Sequence, residues 1–369
     1  MVGGANLDIE GRVPGSLLLA DSNLGTVIRS PGGVGRNIAE NLTRLDTPTR
    51  LITALGRDDN GTWLHDLTAK SGVDLTDSVW SESTPTATYL SVIDGSGEMA
   101  VAVNDMAVMD SLDVAALQAR SSTLENAAAI VADCNLSSEC IGQITRTQTD
   151  SPLFVDPVSV AKAGRVTPHL ASVHTLKPNR AEAALLSGIE ISDKRSLKAA
   201  ANALLDAGVR NVVISLAADG VFFANAETSG ILTVPPQNVA SVTGAGDALM
   251  AGLVHAHVAN FDLEDAVRFA LAAAVLSAAS ATPVARGFSA ESIQQIINDK
   301  IIINDLVDNP TFIIESIQNN TSLTITTPYR GVDGAGLTFS KDNSIAQTYS
   351  VFFGSKRLFV PIEITYLSS

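Results

Sequence analysis

SVTGAGDALMAG, residues 241–252, places two glycines around an alanine, then Asp247, then a run of small apolar residues. The run predicts a closely packed helix that begins near the aspartate. Free backbone N–H groups and the helix dipole make such a helix start favourable for a bound anion, and an aspartate there can also cap the helix. Taken alone, the stretch is more typical of a capped loop–helix junction than of a catalytic site.

The composition indicates a large core without a basic surface. Of the 369 residues, 46% are hydrophobic and 17% are charged, and the formal net charge is −15. This is enough apolar material for one large α/β domain with additions, or for two domains. The acidic balance disfavours binding to DNA or RNA, which needs clustered lysine and arginine. Anionic substrates must therefore be met by local backbone donors.

Targeting and metal-binding patterns are absent from the sequence. The two cysteines are too few for a disulfide framework, and the five scattered histidines form no metal-binding pattern. No apolar run reaches transmembrane length, and the N-terminus has neither a basic start nor an apolar core segment. We therefore expect a cytoplasmic protein that binds neither nucleic acid nor membrane.

Between residues 129 and 224, short β-rich runs alternate with helical patterns. Strands without polar alternation, separated by helices of ten or more residues, indicate a parallel sheet covered on both faces. Ligands bind such sheets at the carboxyl ends of the strands. The segments DCN, DP, KPN and SLAADG are expected along that rim.

Two other regions differ from this pattern. Residues 84–105 predict a hairpin around DGSG, and the strand-like segment at about 12–30 could pair with it as a small lid sheet or a dimer face. Residues 306–369 are rich in threonine, isoleucine and phenylalanine and predict a β-rich appendage of unknown role. The remainder, residues 1–305, is expected to form the α/β domain. If two chains interleave their lids, the protein is a homodimer.

Polar residues near glycines supply candidate ligand contacts. In PGGVGRN, Gly32 and Gly33 allow the backbone to approach a ligand, and Asn37 projects from the first turn of the following helix. Asp8 can accept two hydroxyl hydrogen bonds, as a carboxylate does when it binds a vicinal diol. Taken singly, the glycines are equally compatible with a tight turn, and Asp8 with a turn cap.

The segment KPNRAE places Asn179 and Glu182 three residues apart, on one helix face at the end of a strand. An amide and a carboxylate so placed can hold hydrated magnesium, which prefers few protein ligands and several waters. The alternative is a plain helix start with a solvated glutamate. All of these features follow one another on a single predicted rim, which favours a ligand site.

These motifs resemble the ribokinase-like (PfkB) carbohydrate kinases over roughly residues 1–300. VTGAGDALMAG is similar to the C-terminal signature of that family, and PGGVGRNIAENL to its N-terminal signature. Within the family, GGVGRN and VADCN are most similar to the kinases of pseudouridine. The resemblance implies a doubly wound, mainly parallel α/β sheet with helices on both faces and a small β-sheet lid.

The resemblance also implies roles for individual residues. Asp247 is the general base for the sugar 5′-hydroxyl, and the backbone of Gly244, Ala245 and Gly246 forms the anion hole. ATP and Mg²⁺ are the implied cofactors, with a monovalent cation as a further candidate. The implied substrate contacts are Asp8, Gly32, Gly33, Asn37, Asn135 and Lys162; the implied nucleotide contacts are Asn179, Ser215 and Gly220, and Glu182 is the implied magnesium residue, through water.

Two departures from the family pattern bear on activity. Ala217 and Ala218 stand where relatives commonly carry glycines, and their β-carbons would hinder ATP contact if the loop needs positive φ. The first strand is reduced to Met1 and Val2, so either the true start lies upstream or the sheet lacks most of one strand. The alternatives are another family kinase, for ribose, a nucleoside or a ketose, and a catalytically weakened nucleoside-binding regulator.

Overall fold

A computed structural model describes residues 1–147, 151–234, 243–280 and 282–299, and short backbone segments between 303 and 361. The chain divides into two compact units, Met1–Val307 and Asp308–Ser369. The strands of the first unit are β1 (Asn6–Arg12), β2 (Thr26–Gly32), β3 (Ala54–Gly56), β4 (Val79–Ser81), β5 (Thr88–Ile93), β6 (Met99–Asp105), β7 (Ile130–Asp133), β8 (Leu153–Asp156), β9 (Thr175–Leu176), β10 (Asn211–Ser215), β11 (Val221–Ala224), β12 (Ser229–Thr233) and β13 (Ile303–Asp305).

Helices of the same unit separate most of these strands. They are α1 (Val34–Arg44), α2 (Asp59–Lys70), α3 (Val114–Gln118), α4 (Ser121–Glu125), α5 (Ser138–Arg146), α6 (Val160–Ala163), α7 (Arg180–Ser187), α8 (Lys194–Asp206), α9 (Ala245–Val258), α10 (Leu263–Ala278) and α11 (Ala290–Asp299). Short 3₁₀ helices span Ala107–Ser111, Gly164–Ser172 and Ala217–Asp219. Within the described residues, none of the helices is long and apolar enough to cross a membrane.

The main sheet has the strand order β13-β12-β11-β10-β9-β8-β7. Strands β7 to β10 pair in parallel, and β11 to β13 add antiparallel partners at one side. Because successive side chains of a strand point to opposite faces, Val212 and Ile214 pack into one apolar cluster and Val213 into another. Both faces are covered by helices, which confirms the predicted doubly wound α/β fold.

Met1 and Val2, the residues of the short first strand predicted from the sequence, lie beside β7. Val2 forms single parallel bridges to Ala132 on one side and to Ile52 on the other. Its N–H donates to the Val131 carbonyl at 2.8 Å, and the Ile52 N–H donates to the Met1 carbonyl at 2.8 Å. With the bonds from Gly3 N–H to the Ile52 carbonyl and from Asp133 N–H to the Val2 carbonyl, this short segment joins the main sheet to the neighbouring β3 region.

A second sheet of order β2-β1-β5-β6 stands apart from the main one. Strands β5 and β6 form the predicted hairpin, whose turn is held by Asp94 through hydrogen bonds from the Ser96 and Glu98 N–H groups. The partner strands differ from the predicted 12–30 segment: residues 13–25 form a loop, and the pairing is made by β1 and β2. Pro14 and the turn-forming residues after it favour that loop.

The unit Asp308–Ser369 is described only in part. Strands β14 (Ile314–Asn319) and β15 (Ser322–Ile325) pair antiparallel. Strands β16 (Thr338–Lys341), β17 (Thr348–Phe353) and β18 (Lys356–Pro361) form an antiparallel sheet. These strands agree with the β-rich character of the sequence, and the role of the unit as an appendage stays a prediction.

Candidate active site

Helix α9 begins in a backbone conformation that only glycine adopts easily. Gly244, immediately before the helix, has φ 86°, and a Cβ on it would lie 2.1 Å from the Pro283 carbonyl oxygen. The amides of the first turn, including those of Ala245 and Gly246, have no acceptor within the helix. The loop–helix junction is therefore shaped to leave donors available for an anion.

Asp247 lies in this first turn and is buried, with 8% of its surface exposed. The Asn37 side-chain nitrogen donates to Asp247 Oδ2 at 2.8 Å. Burial raises the pKa of Asp247 to about 7; the charge of Asp156 adds to the rise, while Asn37 and Lys177 oppose it. A carboxylate with a pKa near 7 suits general-base catalysis at neutral pH.

The glycines of the N-terminal motif let α1 approach the first residues of the chain. Gly33 has φ 99°, and a Cβ there would lie 2.6 Å from the Gly4 carbonyl oxygen. Helix α1 starts at the next residue, so Asn37 in its first turn reaches Asp247. A Cβ on Gly32 would lie 2.2 Å from Asp8 Oδ2, so this glycine makes room for the carboxylate.

Asp8, on β1, lies next to Gly32 and Arg36 in the candidate site. Burial raises the pKa of Asp8 to about 6, against the opposing effects of the Asn6 hydrogen bond (2.5 Å) and the nearby Arg36 cation. The structure thus brings Asp8, Gly32, Gly33, Asn37 and Asp247 together, although they are separated by up to 239 residues (247 − 8) in the sequence.

Asn135 and Lys162 form a pair at the end of β7. Lys162 Nζ donates to Asn135 Oδ1 at 2.6 Å, and burial lowers the pKa of Lys162. Asp133 holds this end of the strand, because it accepts from the N–H groups of Gly4 at 2.8 Å and of Asn135 at 2.9 Å. A Cβ on Gly4 would lie 2.6 Å from Asn135 Nδ2, so the pair borders the same chain segment as Gly33.

Asn179 and Glu182 form a reciprocal capping box at the start of α7. Asn179 Oδ1 accepts from the Glu182 N–H at 2.9 Å, and Glu182 Oε2 and Oε1 accept from Asn179 N and Nδ2, each at 2.8 Å. Burial raises the pKa of the Glu182 carboxyl, and Asp156 adds to the effect. A β-bridge to Ser215 joins this helix start to the end of β10.

The donor set around Glu182 suits a hydrated ion. Each carboxylate oxygen accepts one hydrogen bond and has a further lone pair that a water of the ion can use. Mg²⁺ keeps several waters in proteins and requires few protein ligands. The chemistry of Glu182 therefore fits magnesium held through water.

The sequence reasoning missed Lys177 and Asp156. Lys177 Nζ lies 3.1 Å from Asp156 Oδ2, and both side chains are buried. Burial lowers the pKa of Lys177, but the carboxylate of Asp156, together with those of Glu182 and Asp247, raises it above its ordinary value. The Lys177 ammonium is 3.5 Å from the position of a Cβ on Gly246, so it adjoins the start of α9. The available signal was a lysine and an aspartate that each directly end a buried strand run.

The loop after Ser215 contains the two alanines flagged in the sequence. Ala217 has φ 55°, whereas Ala218 has no positive φ. Gly220 has φ 90°, and a Cβ there would lie 2.1 Å from the Leu232 carbonyl oxygen. Of the two alanines, Ala217 therefore adopts the left-handed backbone conformation, which is strained for a residue with a Cβ.

Replacing Ala217 by glycine is expected to raise the free energy of unfolding by about 0.5–1 kcal/mol, because the left-handed strain is relieved and only part of the gain is lost to chain entropy. Urea denaturation measures the change. Ala218→Gly is the matched control, and it is expected to lower stability slightly. An Ala217→Gly variant less stable than the control would contradict the assigned strain.

Known proteins resemble this chain over the same region. Residues 1–285 match the pfkB family carbohydrate kinase. The pseudouridine kinase of Escherichia coli (strain K12) is 40% identical over 271 residues, which cover 73% of this chain and 87% of that protein. The uncharacterized sugar kinase YeiI of the same strain is 34% identical over 281 residues, covering 76% and 78%.

A solved structure gives the same picture of the fold. Arabidopsis thaliana ribokinase, complexed with ribose and ATP, aligns with a TM-score of 0.69 at 20% sequence identity. The alignment covers 80% of this chain and 97% of that one. At this identity the likeness concerns the fold alone, and it supports the ribokinase-like architecture.

Proposed function

The chain belongs to the pfkB family of carbohydrate kinases, and from this premise we propose that it transfers the γ-phosphoryl group of ATP to the 5′-hydroxyl of pseudouridine. The observation that carries the proposal is one buried carboxylate, Asp247, set in the same helix turn as the free amides after Gly244. The substrate follows the 40% identical pseudouridine kinase.

In the proposed reaction, the substrate 5′-oxygen forms a bond to the γ-phosphorus while the bond from that phosphorus to the bridging oxygen of ADP breaks. Asp247 takes the hydroxyl proton. The amides of Ala245 and Gly246, with the Lys177 ammonium, face the charge on the transferred group. Phosphoryl transfer depends mainly on positioning and electrostatic stabilisation, so no covalent protein intermediate is needed. When bound near Glu182, Mg²⁺ would neutralise phosphate charge.

The substrate contacts divide into two groups. Asn37 is bonded to Asp247, and Asp8 lies close to Arg36, the neighbour of Asn37 in α1, so these two side chains can bind ribose hydroxyls. Asn135 and Lys162 lie at the end of β7 and can read the edge of the base. Pseudouridine and uridine share the ribose, so only the second group can distinguish them.

We expect kcat/KM to be higher for pseudouridine than for uridine by about 5- to 150-fold. Pseudouridine has an extra ring N–H that a buried acceptor can bind. Uridine would leave that acceptor unpaired, which costs ~1–3 kcal/mol. The candidate buried acceptor is Asn135, whereas Asn104 and Asp105 of β6 are exposed and become candidates only where the lid covers them. The measurement is ATP consumption with pseudouridine, uridine, adenosine, ribose and fructose.

Two variants sharpen this test. Asn135→Ala should reduce the preference for pseudouridine over uridine. Asp8→Asn should lower activity on both nucleosides and retain that preference.

A free-sugar kinase is the second candidate function, supported by the 34% identity to a sugar kinase. Equal or better use of uridine, ribose or fructose by the wild-type chain would replace the pseudouridine assignment and leave the kinase standing.

We also propose that the β2-β1-β5-β6 sheet acts as a lid, since β1 supplies Asp8 to the site while much of the sheet is exposed. Small sheets are only marginally stable by themselves. Hydrogen exchange of residues 88–105 is therefore expected to slow when saturating nucleoside binds. Unchanged exchange there would contradict the lid.

The same sheet offers a surface for a second copy of the chain. Three valines of this sheet are about half or more exposed: Val27 at 72%, Val101 at 49% and Val103 at 60%. Covering these side chains in a homodimer would remove apolar surface from water. Sedimentation analysis distinguishes a dimer from a monomer.

A further inference from the structure

The Asn37 amide lies between two charged groups. Arg36 Nη1 donates to Asn37 Oδ1 at 2.7 Å, and Asn37 Nδ2 donates to Asp247 Oδ2 at 2.8 Å. Arg36, Asn37 and Asp247 are all buried, at 4%, 4% and 8% exposure. The three side chains therefore form a short hydrogen-bonded chain that ends on the proposed base.

The direction of this chain follows from the chemistry of its first member. A guanidinium carries only donors, so it requires the oxygen of the amide to face it. If the Asn37 amide turned over, its NH₂ group would face Arg36 and its oxygen would face the carboxylate of Asp247. Both contacts would be repulsive, so Arg36 fixes the orientation of the amide together with the ionised carboxylate of Asp247, and it is the partner that keeps its charge when Asp247 is protonated.

Arg36 is itself held in place from the next turn of α1. Its Nη2 pairs with Glu40 Oε2, and Glu40 Oε1 accepts from Arg44 Nη2 at 2.7 Å. Arg36 Nη1 also donates to the Pro31 carbonyl at 3.3 Å. These contacts restrict the guanidinium to the position that faces Asn37.

We infer that Arg36 is a positioning residue for phosphoryl transfer: it orients the Asn37 amide so that Asn37 holds one oxygen of Asp247 and the other oxygen is presented to the acceptor hydroxyl. The inference rests on the proposed role of Asp247 as the base. It adds a residue that acts without touching the reacting atoms.

Loss of Arg36 should change the titration of Asp247. The charged groups that face Asp247 are Asp156 and Asp133, which raise its pKa, and Lys177, which lowers it; Arg36 faces it from α1 as a further cation. Removing Arg36 removes that cation and frees the Asn37 amide to leave Oδ2. Both changes raise the pKa of Asp247, so a higher pH is needed to ionise the base.

The test is the pH dependence of kcat for Arg36→Met between pH 5.5 and 9.5, with the best substrate of the wild-type chain. We expect the acidic limb to move to higher pH by roughly 0.5–1.5 units, so that activity at pH 6 falls several-fold more than activity at pH 9. Arg44→Met is the graded comparison, since it removes the outer cation of Glu40 and leaves the Arg36–Glu40 and Arg36–Asn37 contacts in place, so its acidic limb should move by less than that of Arg36→Met.

A second variant guards against simple unfolding. Arg36→Met leaves Glu40 with Arg44 as its remaining cation, and Arg36→Met/Glu40→Gln removes that carboxylate charge while preserving shape. The shifted limb should appear in both variants. A loss that is uniform across pH, with an unmoved limb, would overturn the positioning role.

The outcome also separates this inference from the proposed function. If Asp247→Asn has a kcat and an acidic limb of the pH profile like those of the wild type, Asp247 is not the base and the proposed mechanism fails. If Asp247→Asn is inactive and Arg36→Met has an unmoved limb, only the role of Arg36 fails.

Discussion

Asp247→Asn is expected to lower kcat by ~10²–10⁴-fold while nucleoside binding is kept, because the amide preserves the shape of the carboxylate but cannot accept the proton. The Asn37 contact can persist, since the new side chain still offers an oxygen to Asn37 Nδ2. Steady-state rates with the panel substrates, and calorimetric binding of the nucleoside, measure the two halves of the prediction.

The same substitution should stabilise the fold above neutral pH. The pKa of Asp247 is raised from its ordinary 3.8 to about 7 in the folded chain. The folded state therefore binds more protons than the unfolded state between these values, and stability falls as pH rises through that interval. Asparagine has no such titration, so the Tm advantage of the variant should be present at pH 8 and absent near pH 4.

These two measurements together exclude general damage as the cause of lost activity. A misfolded variant would lose Tm as well as kcat, whereas removal of a buried base loses kcat and gains Tm. Near-normal turnover, or a lower Tm at pH 8, would contradict the assignment of Asp247.

Gly244→Ala is expected to lower kcat by ~10²–10³-fold, the usual loss when one anion-stabilising donor is displaced. An alanine there would have to hold φ 86° and place its Cβ 2.1 Å from a backbone oxygen, so the start of α9 must move. Stability should fall by at least the ~1–2 kcal/mol of left-handed strain. Single-turnover phosphoryl transfer and urea denaturation measure both effects.

Gly246→Ala is the matched substitution in the same turn. Its Cβ would meet Lys177 Nζ at 3.5 Å, an ordinary contact, and its φ is not positive. We expect its stability to be close to that of the wild type and its loss of kcat to be at least tenfold smaller than that of Gly244→Ala. Equal losses in the two variants would count against the special geometry of Gly244.

Local patterns made the fold and the backbone geometry of half of the candidate site predictable. The glycines before α1 and α9, and the Asn179–Glu182 spacing, encode turns and helix starts within a few residues, and the structure has those features. The parallel sheet follows from uninterrupted apolar runs, because strands covered on both faces cannot alternate with polar residues.

Pairings between distant elements could not be predicted in the same way. In the sequence, Arg36 is an ordinary polar residue of a helix. Its hydrogen bond to Asn37 becomes relevant to the candidate site only because α9 packs against α1 and brings Asp247 to Asn37. The bounds of the second sheet depend on whether β1 or the segment 13–25 pairs with β5. The apolar residues of that segment resemble those of a strand, whereas Pro14 and the turn-forming residues after it favour a loop, and the pairing of β1 with β5 completes the choice.

The Asp156–Lys177 ion pair limits how this sequence can change over evolutionary time. The two residues end neighbouring strands, and each is buried against the other. Losing either partner alone leaves an uncompensated buried charge, at ~3–5 kcal/mol, out of a total stability that is on the order of 5–15 kcal/mol for a typical domain. A single substitution at either position is therefore selected against. Related sequences are expected to keep both residues or to replace both of them together.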